Sequence, residues 1–132
     1  ARYLEPIYHV CNRLRLRVRR SLEHGEIPIV LGGDHSIAIG TVSGVSEFHR
    51  NRGQKLGLIW VDAHGDMNTP ESSPSGNIHG MPLATLCGMG HPRLVRMGDF
   101  WPKVERKNVC LIGIRDIDEV ERKIVKESGI HA

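Results

Sequence analysis

The sequence predicts an α/β protein built on a parallel sheet that is flanked by helices. Three short apolar runs, rich in branched and aromatic residues, have the length and composition of buried strands: residues 27–31, 56–61 and 109–114. Residues 37–48 predict a helix between the first two runs, and the short links around it favour parallel strands. The 132 residues suffice for one domain with a modest core.

The first helix is predicted over residues 4–22, where apolar residues recur at steps of three or four. A strand-like alternation over residues 14–19 competes with it but covers fewer residues. Five arginines of this segment are expected to form a solvated face or a subunit contact, since no aromatic residues interleave with them to stack bases: Arg13, Arg15, Arg17, Arg19 and Arg20.

The rest of the chain predicts shorter elements. Two further helices are expected, over residues 83–87 and around residues 120–125, and two irregular stretches, residues 67–79 and 91–102. In the second stretch Phe100 and Trp101 are expected to pack inward. The first stretch is long for a structureless loop, which is typical of functional or disordered segments.

Composition narrows the classes of partner. A net charge of +3 does not call for nucleic acid, and no apolar segment is long enough for a membrane span. Three scattered cysteines show no pairing pattern, which indicates reduced thiols and a cytoplasmic setting.

Ionisable side chains follow two of the predicted strands. Asp62, His64 and Asp66 alternate after the second run and would share one face of an extended chain. Two carboxylates and an imidazole in one place repel and desolvate one another unless a cation lies among them, so we expect a metal site rather than a polar loop of unrelated residues. His35 follows two glycines after the first run and would lie on the same rim, with Asp34 or Ser36 capping the next helix.

The donor types indicate the class of metal and of reaction. Nitrogen and oxygen ligands without thiolate argue against structural zinc and suit manganese, iron or catalytic zinc. Two bridged ions would generate hydroxide at neutral pH, which favours hydrolysis, and His79 could move protons. Two aspartates are too few to balance the charge of two such ions. The remaining carboxylate candidates in this chain are Asp34, Asp116 and Asp118.

Three motifs resemble those of the ureohydrolase family, and among its members the arginases: residues 32–36 (GGDHS), 62–66 (DAHGD) and 75–82 (SGNIHGMP). The resemblance covers nearly the whole chain. It implies an arginase-like three-layer fold, a parallel sheet between helices that is incomplete in this chain, and assembly as trimers or hexamers. It also implies a cluster of two manganese ions, with four ligands in this sequence: His35, Asp62, His64 and Asp66.

The resemblance further implies hydrolysis of L-arginine to L-ornithine and urea. Asp66 would transfer a proton to the leaving amine and His79 would act as a proton shuttle. The α-carboxylate of the substrate would bind to Asn68, Ser75 and Asn77. Its α-amino group would bind to Asp118 and, more weakly, to Glu121.

Two departures from the family pattern qualify this reading. Val120 stands where arginases usually have glycine, which could disturb the turn that positions Glu121. The later family motif Ser-x-Asp-x-Asp, with two metal-binding aspartates, is absent. Residues 1–132 are therefore expected to be a central part of one ureohydrolase domain, truncated at both ends, that binds manganese weakly and hydrolyses little alone.

Alternative functions also fit the pattern. Another ureohydrolase, acting on agmatine or formiminoglutamate, is the nearest. A single-zinc deacetylase shares an Asp-x-His ligand pattern. A non-catalytic, truncated or partner-binding relative is the alternative outside the enzymes.

Overall fold

The structure, a computed structural model, describes all 132 residues. Its helices are α1 (Leu4–Glu23), α2 (Ala38–Arg50), α3 (Pro82–Leu86), α4 (Pro92–Val95) and α5 (Glu119–Ser128). Its strands are β1 (Leu58–Val61) and β2 (Val109–Ile112). Short 3-10 turns lie at His35–Ile37, Ile78–Gly80, Met97–Asp99 and Arg106–Asn108. None of the helices combines the length and the apolar character needed to cross a membrane.

The two strands pair in parallel, with Trp60 opposite Leu111. Both side chains are buried, and side chains of α2, α3 and α5 share their core cluster. On the opposite face Ile59 and Val61 are 70% and 72% exposed. Helices therefore cover one face of a parallel sheet, which is the predicted α/β arrangement in its incomplete form.

Helices α1 and α2 lie unusually close together because α2 carries glycine where the two backbones meet. A Cβ atom on Gly40 would lie 2.5 Å from the carbonyl oxygen of Cys11, and one on Gly44 would lie 2.5 Å from that of Arg15. The guanidinium groups of Arg15 and Arg19 both pair with Glu47 of α2. Part of the arginine face that was predicted to meet solvent or another subunit therefore joins two helices of this chain.

The predicted strand at residues 27–31 is wrong. This segment makes no main-chain hydrogen bond with other main-chain groups, and Ile27, Ile29 and Leu31 are 88%, 82% and 89% exposed. A strand requires a neighbour to satisfy its ladder, and here β1 and β2 pair only with each other. The predicted strand–helix–strand unit is accordingly not formed, and the parallel pair joins the second and third runs instead.

Residues 91–102 are more regular than predicted. Helix α4 begins with Pro92 at its first turn, and the ring nitrogen Nδ1 of His91 accepts a hydrogen bond from the Arg93 N–H. Phe100 is buried as predicted, whereas the inward packing predicted for Trp101 is wrong, because Trp101 is 51% exposed. The predicted helices at residues 4–22, 37–48, 83–87 and 120–125 are confirmed.

Candidate metal centre

A polar cleft lies at the carboxyl ends of β1 and β2. Its volume is about 550 Å³, and none of the side chains that line it is hydrophobic. Six carboxylic acids and three histidines contribute to the lining: Asp34, Asp62, Asp66, Asp116, Asp118, Glu121, His35, His64 and His79. This position beyond the carboxyl ends of parallel strands is where open α/β sheets place their ligands.

His35, Asp62 and Asp66 meet at one point of the cleft. Nδ1 of His35 lies 2.9 Å from Oδ2 of Asp62 and 2.7 Å from Oδ2 of Asp66, and one ligand atom of each residue falls within a common 4.8 Å. His35 begins a 3-10 turn that Asp34 caps by accepting a hydrogen bond from the Ser36 N–H. Local capping therefore fixes the segment that carries the histidine. The predicted cap of the following helix is wrong, because Ile37 stands at the N-cap of α2 and no side chain caps it.

The convergence does not arise from an extended chain, so that part of the reasoning from sequence is wrong. The chain bends after Asp62, whose Oδ1 accepts a hydrogen bond from the His64 N–H at 3.0 Å, and Asp66 has a left-handed φ of 51°. The segment after β2 stabilises this bend, because the N–H groups of Arg115 and Asp116 both donate to the Ala63 carbonyl.

The bend places His64 on the other side of Asp62. Its Nδ1 lies 3.2 Å from Oδ1 of Asp62, and its Nε2 lies 3.3 Å from Oδ2 of Asp116. Each oxygen of Asp62 thus faces a different histidine, which is the arrangement expected of a carboxylate shared between two cations. The placement of Asp116 could not be fixed from the sequence, although its position just after β2 is the signal that would have found it.

The pKa values of the two neighbouring aspartates, Asp62 and Asp66, shift in opposite directions. Burial, together with the adjacent Asp62 carboxyl, raises the pKa of Asp66 to about 7. Burial also acts to raise the pKa of Asp62, but hydrogen bonds from the His64 N–H, Asp66 and His35 outweigh it and lower that pKa. Burial acts to lower the pKa of His64, but the hydrogen bond and the charge of Asp62, together with the charges of Asp116 and Asp66, outweigh it and raise that pKa. Two carboxyls held together in this way favour a bound cation.

The donor set fits a divalent metal that accepts nitrogen and oxygen ligands, such as manganese, iron or catalytic zinc. All candidate ligand atoms are imidazole nitrogen or carboxylate oxygen, and no cysteine lines the cleft. The three remaining carboxylate candidates of this chain, Asp34, Asp116 and Asp118, all line the same cleft.

The residues expected to bind substrate divide into two groups. Asn68, Asp118 and Glu121 line the cleft, and the Asn68 side-chain amide donates to Oδ2 of Asp118 at 3.0 Å. Ser75 and Asn77 are not among the lining residues; they lie on the loop that leads to His79, and the Ser75 hydroxyl accepts from the Asn77 N–H.

Glu121 has a structural contact that the sequence did not reveal. Its Oε1 accepts a hydrogen bond from the Met67 N–H at 2.8 Å, and its side chain is buried against Gly65. Burial raises the pKa of Glu121, and the Met67 N–H opposes that rise. Val120 does not disturb the turn: it is 54% exposed in the first turn of α5, which Asp118 caps by accepting from the Glu121 N–H.

Comparison with known proteins gives a consistent result. A family model described as "Arginase family" matches residues 3–132. The chain is 50% identical over 129 residues to the arginase of Bacillus caldovelox, covering 98% of this chain and 42% of that protein. It is 53% identical over 118 residues to the arginase of Bacillus subtilis, covering 89% of this chain and 38% of that protein.

Solved structures agree with the sequence matches. The native structure of the Bacillus caldovelox arginase at pH 5.6 superposes with a TM-score of 0.94 at 49% identity, over 99% of this chain and 42% of that one. The chain therefore spans about two fifths of the length of these relatives. Matches of this extent to sequence and fold show that this chain belongs to the arginase family.

Proposed function

We propose that this chain forms the cleft of an arginase that holds metal and substrate, and that the complete enzyme hydrolyses L-arginine to L-ornithine and urea. The observation that carries the proposal is the convergence of His35, Asp62 and Asp66, with His64 against the other oxygen of Asp62. Family membership and identities of 50% and 53% to proteins named arginase support it.

His35, Asp62, His64 and Asp66 would hold two manganese ions, with Asp62 between them. When bound, the ions supply a water molecule of lowered pKa, and hence hydroxide at neutral pH. The two oxygens of Asp62 suit the shared position because each already faces one histidine. Asp116 lies against Nε2 of His64, which leaves Nδ1 of that ring for the metal.

The substrate would be recognised through both charged groups of its α-carbon. Asn68, Ser75 and Asn77 would bind the α-carboxylate, and Asp118 and Glu121 the α-amino group. The contact between Asn68 and Asp118 supports this assignment, because the carboxylate and the ammonium of an amino acid are attached to one carbon and need adjacent partners.

Proton transfer would involve two residues that line the cleft, Asp66 and His79. Asp66 would deliver a proton to the leaving amine from its buried position beside Asp62. His79, whose side chain is 53% exposed and whose Nδ1 lies 3.8 Å from Oδ2 of Asp34, would exchange protons between solvent and cleft.

A chimeric enzyme tests the proposal directly. The matching segment of the Bacillus caldovelox arginase is replaced by this chain, which the TM-score of 0.94 makes a conservative exchange. We expect manganese-dependent release of urea from arginine, its loss on His64→Ala, and much slower turnover of agmatine, which lacks the carboxylate. A chimera that folds and binds manganese but releases no urea would contradict the proposal.

Assembly as a trimer or hexamer and a cytoplasmic location complete the proposal. The family resemblance supports the first, and the three free cysteines support the second. Sedimentation of the chimera, compared with the parent enzyme, measures the assembly.

A further inference from the structure

The indole ring of Trp60 packs against the imidazole ring of His35. The two ring centroids lie 4.3 Å apart, and the ring planes are inclined by 32°. Trp60 is 4% exposed and pairs with Leu111 of β2, so strand pairing and the core hold the indole in place. His35, in contrast, lies in a 3-10 turn at the edge of the cleft.

Both side-chain hydrogen bonds of His35 use the atom that a metal ion would take. Its side-chain hydrogen bonds run from Nδ1 to Oδ2 of Asp62 and Oδ2 of Asp66. A cation bound among these three atoms would replace both hydrogen bonds. The stacking contact with Trp60 involves no ligand atom and would persist.

The two histidines proposed as metal ligands are therefore oriented by different means. His64 has the Asp116 carboxylate 3.3 Å from its Nε2, the usual kind of outer partner for a metal-binding histidine. His35 has no such carboxylate on its Nε2. Instead, the indole ring of Trp60 packs against its imidazole ring.

We propose that Trp60 is a positioning residue for the metal ligand His35, an inference that rests on the proposed function. The indole holds the imidazole plane so that Nδ1 faces Asp62 and Asp66 before metal arrives, and it shields one face of the ring from water. A ligand ordered in advance loses less conformational freedom on binding, so affinity for the metal should depend on the aromatic face at position 60.

Two substitutions separate this role from simple core packing. Trp60→Phe keeps an aromatic face, whereas Trp60→Leu keeps only apolar bulk, and both leave a cavity. Electron paramagnetic resonance of free Mn²⁺ gives the affinity of the full chain, and urea unfolding gives its stability. We expect Trp60→Leu to weaken Mn²⁺ binding by about tenfold, as for other outer-shell partners, and Trp60→Phe to retain most of the affinity.

A second measurement keeps Trp60 and removes the other tryptophan. In Trp101→Phe, a change of a half-exposed residue, Trp60 is the only tryptophan left. We expect Mn²⁺ to quench its fluorescence with the same midpoint as the resonance titration, and His35→Ala to abolish that quenching. In the metal-free protein the ring protons of His35 should be shifted upfield by the indole, and Trp60→Leu should remove the shift.

The outcomes are distinct. If the wild-type chain binds Mn²⁺ but Trp60→Leu binds it equally well, or if both variants lose affinity in step with their stability, the role of Trp60 is refuted and the metal centre stands. If the ring protons of His35 show no upfield shift, the stacking itself is refuted. If the wild-type chain binds no Mn²⁺, the proposed metal centre and the inference fail together.

Discussion

Glu121 offers a sharp test of how the cleft is built, because its carboxylate supports the segment that carries Asp66. Oε1 of Glu121 accepts from the Met67 N–H at 2.8 Å, Met67 is fully buried, and Glu121 is 5% exposed. Removing the acceptor with Glu121→Ala leaves that N–H without a partner where water cannot replace it. An unpaired buried donor costs roughly 1–3 kcal/mol, and the lost packing against Gly65 adds to it.

The matched variants distinguish hydrogen bonding from charge. Glu121→Gln keeps a carbonyl oxygen for the Met67 N–H, so we expect a change in the free energy of unfolding of within about 1 kcal/mol. Glu119→Ala alters an exposed residue of the same helical turn and should change it by about 0.5 kcal/mol or less. Urea unfolding followed by circular dichroism gives all three values, and hydrogen exchange of the Met67 amide locates the effect.

The reasoning would be refuted if Glu121→Ala were as stable as the wild-type chain, or if Glu121→Gln lost as much stability as Glu121→Ala. The first result would leave Glu121 as a substrate contact only. The second would mean that the negative charge, and not the acceptor for Met67, stabilises the cleft.

Two further predictions concern the scaffold. Gly44→Ala should lower the free energy of unfolding by about 1–3 kcal/mol, because its Cβ would lie 2.5 Å from the Arg15 carbonyl oxygen. This strain exceeds the gain of about 1 kcal/mol in helix propensity. The near-neutral control in urea unfolding is Gly57→Ala, whose Cβ would meet its nearest atom at 3.8 Å. Burial lowers the pKa of Lys103 from 10.5 to about 8, so the unfolded chain binds more protons than the folded chain between these pH values. The free energy of unfolding should therefore rise with pH across this window, by on the order of 3 kcal/mol at most. Unfolding at pH 7.5 to 10.5 should show that rise in the wild-type chain relative to Lys103→Met, and parallel curves would contradict it.

The helices could be predicted well from the sequence because their signals are local. The apolar period of α1 depends on residues within a few positions of one another. The cap of α5 at Asp118, which was not predicted, is equally local. The run at residues 27–31 has an equally good strand composition, yet strand formation depends on a partner elsewhere in the chain. No local pattern states whether such a partner is present, which is why this segment was predicted wrongly.

The candidate site was predictable in its residues but not in its geometry. The motifs identified His35, Asp62 and Asp66, and the structure brings them together. The alternation of ionisable residues along an extended chain does not explain this convergence, since the chain bends after Asp62 and Asp66 has a left-handed φ. The stacking of Trp60 on His35 joins residues 25 positions apart and leaves no trace in a local pattern.

The most direct test of the account is the binding of Mn²⁺ to the chain itself, measured by electron paramagnetic resonance of the free ion. The central claim is that Asp62, which faces both His35 and His64, is the central ligand of a metal centre. We predict saturable binding that Asp62→Ala abolishes and that His49→Ala, which alters a half-buried histidine paired with Gln54 outside the cleft, leaves unchanged. Binding that survives Asp62→Ala, or no binding at millimolar Mn²⁺, would contradict the account.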